Sequence, residues 1–228
     1  MAGAKPVLYS YFRSSCSWRV RIALAMKQIA YEYRAVDILN KQQHDDAYKA
    51  LNPQRLVPTL EIDGHVLTQS LSIIQYLDET RGPPYLVPQG DTLKRQRVRA
   101  VSDVIASGIQ PIQNLKVLKY VGANKSQWGK HWIEEGFQGL EELLVVTAGK
   151  YCVGDEVSMA DLCLVPQVAN ASRYKINMAS FPRIARINEA LLQLPAFQVS
   201  APVMQPDCPP ELRRERGDPH FIRDIGGA

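Results

Sequence analysis

The sequence predicts two domains, an α/β N-terminal domain of βαβ-ββα order followed by an all-α domain. Three observations carry this. Before residue 80, short apolar or β-branched runs alternate with helix-like stretches. RGPPYLVPQGD (81–91) crowds proline and glycine together as a linker does. Beyond it helical spacing recurs, and no strand pattern interrupts it before the tail. The expected boundaries are 1–82 for the first domain, 83–90 for the linker, 91–208 for the helical domain and 209–228 for an irregular tail.

Each element follows from its residues. PVLYSY (6–11) is apolar and aromatic behind a proline, a buried strand. CSWRVRIALAMKQ (16–28) is apolar on almost every side, so its helix should be covered by neighbours; Arg19 and Arg21 cannot share one of its stripes. IAYEYRAVDI (29–38) is a second strand, completing a βαβ unit. After the polar segment HDDAYKALNP (44–53), LVPTLEIDGHVLTQ (56–69) gives strands at 57–62 and 65–68 joined by Asp63-Gly64, a strong hairpin signal. Ser70 is then the expected N-cap of a helix with Leu71, Ile74 and Leu77 on one stripe.

In the second domain Val98, Val101, Ile105, Ile109, Ile112 and Leu115 mark a long helix that Pro111 should kink. Lys94, Arg95, Arg97 and Arg99 should form its solvated face, a ligand role being the alternative reading. SQWGKHWIEEGFQGLEELLVV (126–146) is helical, and its Gly129, Gly136 and Gly139 point to a close helix contact. EVSMADLCLVPQVANA (156–171) begins with a Ser158/Asp161 capping box and is apolar nearly all round, which puts it at the domain centre. FPRIARINEALLQL (181–194) is a further helix ended by Pro195. The tail (207–228) is charged and aperiodic, with Phe221 and Ile222 as possible anchors.

With 46% apolar and 22% charged residues the chain has the composition of a folded soluble protein. No stretch is long and apolar enough for a signal-peptide core or a membrane span, so a cytoplasmic location is expected. Cys16, Cys152, Cys163 and Cys208 lie far apart, with no C-x-x-C and no histidine at ligand spacing, so neither a metal site nor a dithiol motif is encoded. A net charge of +4 is too small and scattered for nucleic acid. It suits a small acidic substrate, and equally well solubility alone.

The informative stretch is YFRSSCSWRVRIAL (11–24), which sets Ser14, Ser15 and Cys16 between a strand and a helix. A cap plus a small buried residue is one reading. The other is an anion site, because a helix start presents unpaired N–H groups and partial positive charge, and stabilises a thiolate. A redox pair would need a second cysteine close behind Cys16, and Arg stands at position 19.

SSCSWRVRIAL resembles the signature of the zeta class of cytosolic glutathione transferases. ALNPQRLVPTL, NLKVLK and YCVGDEVSMADLCLVPQVANA are similar to that class as well, so the resemblance covers nearly the whole chain. It implies a thioredoxin-like first domain, glutathione as cofactor and a homodimer. The implied activity is glutathione-dependent cis–trans isomerisation of maleylacetoacetate to fumarylacetoacetate in tyrosine and phenylalanine catabolism. Transferase activity and dehalogenation of α-haloacids would accompany it. Ser14, Ser15 and Cys16 would be catalytic. Gln43, Val57, Pro58 in a cis peptide, Gln69, Ser70, Gln110 and Asn114 would contact glutathione. Arg173, with Arg13 and Arg19 behind it, would hold a substrate carboxylate. Lys116 departs from the class, which has a small hydroxyl residue there. General conjugation of xenobiotics and thiol–disulfide exchange are the alternative activities. The expected partners are therefore glutathione and a small dicarboxylic acid or α-haloacid, with no metal, nucleic acid or membrane.

Overall fold

The computed structural model describes residues 4–213. They fall into two compact units, one of residues 4–84 with 196–213 and the other of residues 85–195.

The first unit is built on a four-stranded sheet of order β2-β1-β3-β4, with β1 Val7–Ser10, β2 Glu32–Ala35, β3 Thr59–Ile62 and β4 His65–Thr68. β1 runs parallel to β2 and antiparallel to β3, and β3 and β4 are antiparallel. Parallel pairing requires a crossover, supplied by helix α1 (Ser15–Met26). Asp63 and Gly64 both take positive φ, 54° and 78°, as a tight hairpin turn between right-twisted strands demands. α1 is buried from Ser17 through Leu24, both arginines included, and packs on α3 (Ser70–Thr80). At the far end of this pair the Lys27 ammonium meets Asp78 at 2.8 Å with both side chains buried. A short helix α2 (Asp46–Leu51) lies in the segment read as merely polar.

In the second unit, α4 (Thr92–Asp103) is followed by a π-helical turn, Val104–Ile109, and a 3₁₀ turn, Gln110–Gln113, before α5 (Leu115–Val121). The single kinked helix expected there is thus broken. Pro111 offers no backbone N–H, and Asn114 caps a new helix by accepting from Lys116 N at 3.2 Å. In α6 (Lys125–Thr147), Gly129 lies against Tyr174 and Gly136 against Ile109, so a side chain at either would collide, whereas Gly139 faces open space.

Helix α7 (Met159–Arg173) is buried from Met159 through Ala171, with α4 and α8 (Pro182–Leu192) packed on it. Its capping box is formed: Asp161 Oδ2 accepts from Ser158 N at 2.8 Å, and Asp161 Oδ1 accepts from Cys152 N at 2.9 Å. Burial pushes the Asp161 carboxyl up from its ordinary pKa, and these donors oppose the shift.

One boundary differs from expectation. Residues 196–213, read as the end of the helical domain and the start of the tail, pack on the sheet unit, starting with most of α9 (Pro195–Val199). Specific bonds hold them there. The Trp18 Nε1–H donates to Ser200 Oγ at 3.1 Å, and Arg21 Nε to Ser200 O at 2.9 Å. Asp207 accepts from Phe12 N at 2.9 Å and from the Tyr33 hydroxyl at 2.6 Å. Cys208 packs with Tyr11 and Phe12. The start of the tail forms a 3₁₀ turn at Pro210–Leu212, while Phe221 and Ile222 lie outside the described residues.

Candidate active site

The site in the first unit starts where β1 ends. Tyr11 turns the chain, its carbonyl accepting from Ser14 N at 3.0 Å, and α1 begins at Ser15. This turn is held from behind by Arg21, which is wholly buried and donates to Ser10 Oγ at 3.1 Å, Tyr11 O at 3.4 Å and Phe12 O at 3.0 Å besides Ser200 O. Burial pushes the guanidinium pKa down, while Tyr33, Tyr31 and Asp207 favour its charge.

The three residues of the cluster divide their roles. Ser14 is the N-cap, its Oγ accepting from Ser17 N at 3.2 Å. Ser15 is the first helical residue and 8% exposed, and its hydroxyl has no hydrogen-bond partner among the described residues. Cys16 is half-buried, whereas Cys152, Cys163 and Cys208 are buried. Burial, with Asp161 and Cys163 adding to it, pushes the Cys152 thiol well up, an inert structural thiol. Arg13, just before the cluster, is half-buried.

A second helix start lies close by. Gln69 holds φ +68° and occupies the N-cap position without a side-chain capping bond, its Nε2 donating instead to Gln54 Oε1 at 2.6 Å. Ser70, expected as the cap, is the first helical residue and 7% exposed, and its Oγ accepts from Arg19 Nη1 at 3.3 Å. With that hydroxyl turned to Arg19 rather than to the first-turn amides, those amides stay available to an anion. The Arg19–Ser70 bond ties the α1 cluster to the start of α3. Arg19 itself is 1% exposed, so it presents no cation on an open surface.

The Val57–Pro58 peptide is cis, and Val57 makes no backbone hydrogen bond among the described residues. The turn is fixed by two residues that the sequence had not singled out. The Tyr48 hydroxyl and Asn52 Nδ2 both donate to Leu56 O, at 2.7 and 2.8 Å, and both contact Thr59 Oγ1. Only the short apolar pattern of AYKALN hinted at them. Gln43, in the 3₁₀ turn Gln42–His44, has a buried Oε1 without a partner.

Ser14, Ser15, Cys16, Arg19, Gln43, Val57, Pro58, Gln69 and Ser70 therefore all belong to the first unit, which leaves them a free hydroxyl, two helix starts, an unpaired peptide and an unpartnered amide oxygen. These groups fit an extended, anionic, thiol-bearing peptide. In the second unit Gln110 is in the 3₁₀ turn, Asn114 caps α5 and Arg173 ends α7, half-buried. Gln113, which the sequence had not marked, anchors that turn by donating to the buried Gln167 Oε1 at 3.1 Å. Among the described residues no group of three His, Cys, Asp or Glu could hold a metal, and no helix is long and apolar enough to cross a membrane.

Residues 8–85 match the family described as glutathione S-transferase, N-terminal domain, and the fold and site define a protein of that class. Over 216 residues the chain is 58% identical to maleylacetoacetate isomerase of Rattus norvegicus, covering 93% of this chain and 100% of the relative. It superposes with TM-score 0.86 on a bacterial maleylpyruvate isomerase of the zeta class, at 40% identity, covering 89% of this chain and 100% of the other. A crystal structure of maleylacetoacetate isomerase from Anaeromyxobacter dehalogenans, with dicarboxyethyl glutathione and citrate in its active site, gives TM-score 0.81 at 41% identity, covering 90% and 98%. The chain belongs to the zeta-class glutathione transferases, the family of the maleylacetoacetate isomerases. It is an enzyme, and its cofactor is glutathione.

Proposed function

We propose that this enzyme isomerises the cis double bond of maleylacetoacetate to the trans bond of fumarylacetoacetate in tyrosine and phenylalanine breakdown, in the cytoplasm and as a homodimer. The observation that carries the reading is the uncommitted Ser15 hydroxyl at the start of α1, in a chain 58% identical to an isomerase of this name. When bound, glutathione supplies a thiolate that adds reversibly across the double bond, which lets the bond rotate.

The chain's own residues do the rest. Ser15 donates to the sulfur, and the start of α1 favours the anionic form. Ser14 fixes that helix start, and Cys16 sits beside the sulfur as a neighbour rather than as the attacking group. Val57 offers its free N–H and C=O to the cysteinyl part of the tripeptide. Gln69 and Ser70 take the γ-glutamyl carboxylate at the start of α3. Gln43, Gln110 and Asn114 add polar contacts. Arg173 holds a substrate carboxylate, with Arg13 as a second cation. The test is conversion of maleylacetone by purified enzyme with and without glutathione. Turnover is expected only with it, and equal rates in both would overturn the proposal.

The same thiolate would displace halide from a short α-haloacid, a second activity of the same groups. Arg173→Gln should raise KM for the maleyl substrate about 10-fold or more while KM for glutathione stays within a few-fold, because a guanidinium gives a carboxylate two donors. Steady-state kinetics in both substrates check this, and equal rises would mark Arg173 as structural. A two-fold isologous assembly is the commonest for soluble enzymes, so light scattering at micromolar concentration should return twice the 25.6 kDa chain mass. A monomer mass would contradict it.

A further inference from the structure

We propose that Arg19 is a positioning residue of the glutathione site, acting through Ser70 to aim a hydroxyl proton and a buried positive charge at the cofactor's γ-glutamyl α-carboxylate. The proposal rests on Gln69 and Ser70 receiving that carboxylate.

The two arginines of α1 have opposite surroundings. Both are buried, at 1% and 0% exposure. Arg21 spends all three nitrogens on Ser10, Tyr11, Phe12 and Ser200. Arg19 has one bond, Nη1 to Ser70 Oγ at 3.3 Å, and its Nε and Nη2 have no partner. The buried carboxylate of α3, Asp78, is paired with Lys27 at 2.8 Å. Among the described residues no carboxylate is within salt-bridge reach of Arg19. A buried guanidinium cannot relieve the cost of burial by losing its proton, so an unpaired one implies an anion that the chain does not supply.

Ser70 shows where that anion goes. A guanidinium only donates, so toward Arg19 the Ser70 oxygen can only accept. The single hydroxyl proton must then point elsewhere, and no described residue accepts it. Ser70 also opens an eleven-residue helix whose first-turn amides carry no side-chain cap. Proton, amides and buried charge thus converge on one place, and a carboxylate is the ligand group that satisfies all three. Four positions before Arg19, on the same face of α1, stands Ser15. One helix face thereby serves both ends of the cofactor, sulfur and carboxylate.

The test compares glutathione with 4-aminobutyryl-cysteinyl-glycine, which lacks only that carboxylate, in the whole enzyme. Wild type should prefer glutathione by about 100-fold in kcat/KM. Arg19→Gln should shrink that ratio about 10-fold through KM for glutathione, with kcat at saturation and KM for the maleyl substrate within about threefold. A merely structural role would lower both thiols' values alike and leave the ratio intact. Should Arg19→Gln fail to fold, Arg19→Lys keeps the charge but not the planar fork, and should lose about threefold of the ratio. An unchanged ratio in the folded variant overturns the role of Arg19. No preference in wild type overturns instead the carboxylate site at Gln69 and Ser70.

Discussion

Ser15→Ala should lower isomerase turnover at saturating glutathione by about 10- to 100-fold, the cost of one hydrogen bond to a charged acceptor made chiefly in the reactive complex. Cys16→Ala should cost less turnover and weaken glutathione binding instead. The asymmetry follows from the helix start. Ser14 already serves as cap to Ser17 N, whereas the Ser15 hydroxyl is uncommitted and nearly buried, so its proton is free for a sulfur. A hydroxyl stabilises a thiolate without competing with it as a nucleophile. The pH at which bound glutathione ionises should accordingly rise in Ser15→Ala, because a donor to the charged form has been removed. Rate measurements and thiolate absorbance across pH check both effects. If Cys16→Ala abolishes turnover and Ser15→Ala is nearly silent, the protein's own thiol is the nucleophile.

Arg21→Met should cost about 1–3 kcal/mol of stability, the penalty of leaving buried acceptors unsatisfied, which a urea titration would register as a lower unfolding midpoint. Methionine fills much of the volume but removes the donor that Phe12 O and Ser200 O share, while Tyr11 O keeps only Ser14 N. The loss reaches the site because the same carbonyls shape the turn that delivers Ser14 and Ser15. Glutathione affinity should fall with stability. A wild-type midpoint would mean that the Arg21 bonds do not hold the turn.

Local chemistry was legible in the sequence. Asp63-Gly64 announced the hairpin, Ser158 with Asp161 announced α7, and the hydroxyl cluster before an apolar helix announced the start of α1. Distant pairing was not. Phe12 and Asp207 lie 195 positions apart, and no periodicity links them, so residues 196–213 read as the end of a helical domain. The six-residue α2 is too short for a periodic signal, which hid Tyr48 and Asn52 as supports of the cis turn. Ser70 matched every rule for a cap, yet the positive φ of Gln69 moved the cap back one residue. The contrast between Arg19 and Arg21 depends on which neighbours each meets, which spacing two apart on an apolar helix cannot tell. The proposed ligand roles of Gln110, Asn114 and Arg173 rest only on family resemblance, since each alone is an ordinary polar residue.

The most direct measurement follows isomerisation of maleylacetone under limiting glutathione while free thiol is titrated through the same reaction. Many molecules of substrate should be converted per glutathione with the thiol content unchanged, because the cofactor leaves each cycle as it entered. Thiol lost one-for-one with substrate would make the chain a conjugating transferase and contradict the isomerase.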